Sequence, residues 1–169
     1  MSSSPKRVFT QVFGVVGAII ERDGKFLLVK EHNPPHPDHG KWNQPAGWID
    51  VGEHPTEAAR REIREETGLD FTPTHILGLY SLVRENLSEK FGAGSLPHPL
   101  KIIFCGTITQ SSDGQFDASE ISETHWFTPE EIYAMDGKSL RDSDIKSEVR
   151  DYLSGKCYPL ELITHTIQE

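Results

Sequence analysis

A chain of 169 residues, 36% apolar and 25% charged, has the size and balance of one globular domain with a proper core. Its 17 Lys and Arg face 26 Asp and Glu, a formal charge of −9, which excludes a nucleic-acid polymer as partner because a phosphate backbone calls for a basic face. An acidic protein acting on a polyanion needs metal ions to offset the repulsion. Cys105 and Cys157 are its only cysteines, too few for a disulfide framework, and Cys105 sits in an apolar run as a reduced core residue would.

Residues 1–7 are Ser-rich and are expected to be a disordered tail ahead of a single domain spanning 8–169. Lys6-Arg7 and the apolar residues up to Ile20 imitate a signal peptide. Thr10 and Gln11 interrupt that run, no small-residue cleavage site follows, and Glu21-Arg22-Asp23 comes next. The run is also too short to span a bilayer, so the expectation is a cytoplasmic protein with no membrane partner. Residues 12–20, rich in Val and Ile, read as a strand covered on both faces. Asp23-Gly24 is a hairpin turn, and 25–30 is the returning strand.

Residues 31–40 carry three prolines, which exclude a helix and predict a stiff surface loop. His32, His36 and His39 invite a metal reading, but the Cys or His pairs of a zinc site are missing. Without a metal, the loop either lines a substrate site or is a plain surface loop. Trp42 and Trp48 follow, each able either to stack an aromatic substrate group or to fill the core.

The stretch 47–69 carries the chemistry. Pro55 suits the first position of a helix and Gly68 the position just past its end. Between them Glu62, Glu65 and Glu66 fall at i, i+3 and i+4, on one face, beside a narrow strip of Ala59, Ile63 and Thr67 that should pack on a sheet. Glu57, Arg60 and Arg64 point to water. Three carboxylates on one stripe repel one another, and a hard divalent cation such as Mg²⁺ or Mn²⁺ would remove the conflict. A solvated acidic helix face is the bland alternative.

Gly47, Glu53, Arg61, Glu62, Ile63, Glu65, Glu66, Gly68 and Leu69 fill every fixed position of the pattern Gly-x5-Glu-x7-Arg-Glu-U-x-Glu-Glu-x-Gly-U, with U a bulky aliphatic. The stretch thereby resembles the Nudix box, a match with a chance probability of roughly 10⁻⁷ to 10⁻⁸ in a chain of this length. The resemblance implies an α/β fold, an α/β/α sandwich with a mixed β-sheet, and hydrolysis of a P–O–P linkage in a small-molecule pyrophosphate such as a nucleoside diphosphate-linked compound. It implies Mg²⁺ or Mn²⁺ as cofactor, held by Glu62, Glu65, Glu66 and the carbonyl oxygen of Ala46. It also implies that Glu53 and Arg61 brace the site. The residue that takes the proton from water is left open between Glu62, Glu65 and a carboxylate from a downstream loop.

Downstream, residues 75–84 and 100–110 read as strands, separated by a Gly- and Pro-rich loop at 85–99 that either closes over the site or is disordered. Asp113-Gly114 marks a turn, and 123–127 a short strand. Thr128, Pro129 and Glu131 predict a capped helix start. Ile145, Val149, Tyr152 and Leu153 give an amphipathic helix that stops at Gly155. Trp126-Phe127-Thr128-Pro129-Glu130-Glu131 resembles the usual Nudix C-terminal segment, which extends the likeness to about residues 12–153. Glu120 stands where the antimutator-like branch of the family places an extra metal-binding glutamate, with Asp117 and Glu123 as competitors and a bland acidic loop as the rival reading.

Trp-Asn-Gln-Pro-Ala-Gly at 42–47 resembles the small Nudix phosphatases of thiamine-precursor pyrophosphates and nucleoside di- and triphosphates, and Leu140-Arg141 resembles that branch weakly. Two rivals belong to other classes: a non-catalytic Nudix-fold ligand-binding module, and an isopentenyl-diphosphate isomerase, whose chemistry uses a site cysteine. Nothing in the sequence fixes an oligomeric state.

Overall fold

The computed structural model describes residues 12–83, 98–110 and 116–168. The expected N-terminal tail, most of the 85–99 loop and the Asp113-Gly114 turn lie outside the described residues. The elements run β1 (Val12–Ile19), β2 (Glu21–Arg22), β3 (Lys25–Glu31), β4 (Trp42–Asn43), β5 (Ala46–Trp48), α1 (Pro55–Thr67), β6 (Leu69–Ser81), β7 (His98–Gln110), β8 (Ile121–Phe127), α2 (Pro129–Ala134) and α3 (Ile145–Leu153), followed by a 3₁₀ turn at Leu160–Leu162.

The strands divide into two sheets. One is mixed, in the order β5-β1-β7-β6, with β1 and β7 parallel and the outer pairs antiparallel. In the other, β3 pairs antiparallel with β2, β4 and β8. Alternation along β1 and β7 sorts the core by face. Val16, Ala18 and Phe104 pack with Ala58, Ala59 and Ile63 of α1, whereas Ile19, Ile103 and Cys105 pack with Ile132 of α2 and Ile145 and Val149 of α3. Helices therefore cover both faces of the mixed sheet, the expected α/β/α sandwich.

Alpha-helix α1 begins and ends on local chemistry. Pro55 occupies its first turn, the His54 ring accepts from the Thr56 amide, and Gly68 adopts φ 68° so that its N–H closes on the Arg64 carbonyl. Such caps are worth about 1 kcal/mol each, less than the 2–5 kcal/mol, roughly, that truncating a fully buried Ile63 would cost. Packing on the sheet therefore dominates, and it fixes which face of α1 points inward. Helix α2 starts with the expected capping box, Thr128 and Glu131 each bonding the other's backbone. Gly155, at φ 81°, follows α3 as expected.

Three strand expectations are corrected. Burial on both faces of β1 holds only from Val16 onward, because Phe13 and Val15 face a cavity. Strand β6 starts directly after Gly68 rather than at residue 75, drawn out by pairing with β7 from Leu69↔Gln110 to Ser81↔Leu100. Its register shifts beside Pro73, which has no N–H to offer a ladder. Strand β8 starts at Ile121, two residues early, because it pairs with β3 as far as Glu31. Among the described residues no helix is long and apolar enough to cross a membrane.

Candidate active site

A cavity of about 640 Å³ opens between α1, the front of β1 and β5, the end of β3 and the segment after Leu140. The α1 wall carries the box residues. Gly47 of β5 lies so close to this helix that a Cβ there would come within 2.0 Å of the Glu62 carboxyl group, which is the physical reason for glycine at that position. One residue earlier, the Ala46 N–H donates to Glu66 Oε2 at 2.8 Å. Glu62 and Glu66 are thus buried against β5, while Glu65 is half exposed at the rim. The three acids share a stripe but not an environment.

Arg61 is the brace. Its Nε and Nη2 donate to the two oxygens of Glu53 at 3.0 and 2.9 Å, a fork-to-fork pair. Nη2 also donates to the Trp48 carbonyl at 2.9 Å, and Nη1 to Glu62 at 2.8 Å and Glu65 at 3.3 Å. All five guanidinium N–H groups are engaged. The Arg61 bond holds the Glu53 carboxyl below its usual pKa.

Burial pushes Glu62 up; Arg61 offsets part of this, and Glu65 and Glu120 add to it. Burial likewise drives Glu66 well above the usual carboxylate range, against the Ala46 N–H and with Glu31 and Glu62 adding repulsion. Negative charge on this wall exceeds what Arg61 neutralises. Among the described residues no three His, Cys, Asp or Glu side chains form a ready-made metal cage; the group lying between Glu62 and Glu65 is Arg61 Nη1. The donor set itself is all oxygen with surplus charge, and so fits a hard divalent ion.

Glu120 lines the same cavity. The turn before β8 is tied to both walls, since Asp117 N donates to the Glu65 carbonyl at 2.7 Å and His32 N to the Glu120 carbonyl at 2.6 Å. Of its competitors, Asp117 is taken up by the Ser119 amide and hydroxyl, and Glu123 pairs with Lys30. The two tryptophans part company. Trp48 is 55% exposed, lines the cavity and stacks on Phe13 at 4.4 Å between ring centroids, which rules out a core position for it. Trp42 packs edge-on against Phe127 at 4.8 Å under the Lys30 ammonium, with no face toward the cavity.

In the 31–40 loop, His32 and His36 line the cavity, while His39 accepts from the Asn33 amide. Another part of the lining was missed by sequence reasoning. There Lys101 of β7, 3% exposed, places its ammonium 2.9 Å from both Asp144 and Glu148. Gln44 reaches Glu148 at 3.5 Å, and Arg141 bridges Glu31 and Asp38. Burial pushes the Glu148 carboxyl up to about 7, against the pull of Lys101. Burial works against the Lys101 ammonium too, but Glu148, Asp144 and Asp142 outweigh it and raise its pKa. One signal was present in the chain: Glu148 falls on the apolar face defined by Ile145, Val149 and Tyr152.

Neither cysteine lines the cavity. Cys105 packs toward α2 and α3, where burial pushes its thiol up to about 12, and Cys157 is exposed elsewhere. The isomerase reading thereby loses its thiol.

A NUDIX domain profile matches residues 10–148. The phosphatase NudJ of Escherichia coli K12 is 32% identical over 150 residues, 88% of each chain. Among solved structures, a NUDIX hydrolase from Nitrosomonas europaea superposes with a TM-score of 0.79 at 31% identity, covering 92% of this chain and 98% of that one. The NUDIX domain of Shewanella oneidensis NrtR, complexed with ADP ribose, shares the fold at a TM-score of 0.60 and 20% identity, covering 89% and 94%. With the complete box folded onto one cavity wall, the chain belongs to the Nudix family, as a hydrolase.

Proposed function

We propose that this chain hydrolyses the phosphoanhydride bond of a nucleoside diphosphate-linked or other small organic pyrophosphate, using Mg²⁺ or Mn²⁺. The observation that carries this is the acidic lining: Glu62, Glu65, Glu66 and Glu120 line a single cavity, and Arg61, the cation beside the α1 acids, has no N–H left to give. Those four carboxylates and the Ala46 carbonyl would hold the ion. When bound, it supplies Lewis acidity toward phosphoryl oxygens and lowers the pKa of a water molecule.

The chain's own residues do the rest. Glu53 and Arg61 fix the rotamers of Glu62 and Glu65, so that these acids are positioned before substrate arrives. Glu65, half exposed at the rim, has room for a water beside it and accepts that water's proton; Glu62 is the second candidate base. The Phe13–Trp48 pair, anchored through the Trp48 carbonyl to Arg61, offers a flat apolar face to a ring on the leaving group. The relatives described as phosphatase NudJ support a small phosphorylated substrate.

The test is phosphate release from nucleoside triphosphates, ADP-ribose, NADH and thiamine pyrophosphate, with Mg²⁺, with Mn²⁺ and with chelator. Release from at least one member that needs the ion and stops on chelation is the expected result. No release from any of them, together with tight nucleotide binding by calorimetry, would identify a ligand-binding module instead.

A further inference from the structure

We propose that Arg141 binds the substrate's phosphoryl oxygens from the part of the cavity lining outside α1. This rests on the pyrophosphate reading above and adds to it the residue that recognises the anion.

Among the described residues three Lys or Arg side chains line the cavity and could add cationic contacts to those of the metal ion. Arg61 is saturated: each of its five N–H groups points at Glu53, Glu62, Glu65 or the Trp48 carbonyl. Lys101 is sealed, its side chain 4% exposed and its ammonium shared between Asp144 and Glu148.

Arg141 differs on both counts. Its side chain is 29% exposed, and among the described residues its one side-chain hydrogen bond goes from Nη1 to Glu31. Nη1 donates to Glu31 at 2.5 Å, and Nε lies 3.4 Å from Asp38 and 3.9 Å from Asp142. Among the described residues Nη2 has no partner at all, so its two N–H groups and the second one on Nη1 remain to be used.

The anchoring is itself rigid. Glu31 also accepts from Asn43 Nδ2 at 3.0 Å, and the Arg141 backbone N–H donates to the Trp42 carbonyl at 2.8 Å. A guanidinium anchored through Nη1, with Nη2 unused, can pair with the oxygens of a phosphate in a fixed orientation. A lysine at this position would keep the charge and lose the fork.

The experiment compares the parent with Arg141→Lys and Arg141→Gln, by calorimetric binding of imidodiphosphate in Mg²⁺ buffer and by KM and kcat on the best substrate of the panel. Melting temperatures are recorded alongside. Loss of a charge-assisted contact predicts imidodiphosphate binding weaker by roughly 10-fold in Arg141→Lys and roughly 100-fold in Arg141→Gln. KM should rise in step while kcat falls less, and affinity for the phosphate-free nucleoside should be unchanged.

A residue that only braced Glu31 and Asp38 would lower the melting temperature and leave imidodiphosphate affinity intact; that result overturns the proposal. Should Arg141→Gln fail to fold, Arg141→Lys decides alone. Imidodiphosphate binding that depends on Arg141 in a protein hydrolysing nothing would refute the hydrolase reading and keep this one. Hydrolysis with parental KM in both variants would do the reverse, and a parent that does not bind imidodiphosphate refutes the role of Arg141.

Discussion

The two walls of the cavity are built from the same side-chain chemistry by opposite means. On the α1 wall, Arg61, Glu62, Glu65 and Glu66 come from two turns of one helix, with Glu53 just before it. Of the acids there Glu65 stays half exposed while Glu62 and Glu66 are buried, and their charge exceeds what Arg61 answers. On the rest of the lining, Glu31, Gln44, Lys101 and Arg141 come from β3, the β4–β5 link, β7 and the α2–α3 segment, with Lys101 paired to Asp144 and Glu148 at the start of α3. There both cations are ion-paired, Lys101 with Asp144 and Glu148 and Arg141 with Glu31 and Asp38, and Lys101 and Glu148 are deeply buried. The difference teaches that a carboxylate's role follows from what is left over after pairing. Surplus acids are available for chemistry, whereas matched, sealed acids hold elements together.

Substitutions on each wall should therefore fail in different ways. The largest effect is expected from Glu65→Gln, which keeps the size of a half-exposed side chain: activity on the best pyrophosphate should fall by about 10³-fold, with the melting temperature unchanged. Parental activity in that variant would break the distinction between the walls. Lys101→Met should do the opposite, lowering stability by about 3–5 kcal/mol, because Asp144 and Glu148 would be left buried without their cation. Denaturant titration measures it. A loss below about 1 kcal/mol would mean that the pair is no better than a surface contact.

Trp48→Ala, at an exposed position of the cavity lining, should raise KM roughly 10-fold for substrates with an aromatic leaving group and leave inorganic substrates unaffected. The smallest effect concerns pH. Burial raises the Glu148 carboxyl to about 7, so between its ordinary pKa near 4.5 and that value the folded state binds more protons than the unfolded one. Stability from this group is then full below the ordinary value and is lost as pH rises toward 7. The melting temperature should drop by about 5 °C between pH 5 and pH 8 on this account, and Glu148→Gln should flatten that slope. An unchanged slope would place the titration elsewhere.

The α1 wall was legible because its parts are neighbours in the chain. Pro55 and Gly68 bound the helix, helical spacing puts the acids on one stripe, and Gly47 marks where a backbone must approach a carboxyl group. Even there, the stripe did not say that Glu66 and Glu62 would be buried against β5 while Glu65 stays at the rim; that depends on how α1 seats on the sheet. The rest of the lining was not legible. Lys101 reads as an interruption of an apolar strand and Glu148 as an impurity on an apolar helix face until β7 and α3 are packed together. Trp42 and Trp48, equivalent on paper, are separated only by the pairing of β3 with β4 and of β1 with β5.

By itself, then, the sequence determined the box helix, its caps, its stripe of acids and the brace from Glu53 to Arg61, since all of these are settled by residues within two dozen positions of one another. The tertiary structure alone decided which acids are surplus and which are matched. It also decided which tryptophan meets the cavity and that Arg141 lines the same cavity as the glutamates. Burial and ion pairing are properties of neighbours in space, and here those neighbours lie up to 110 residues apart along the chain.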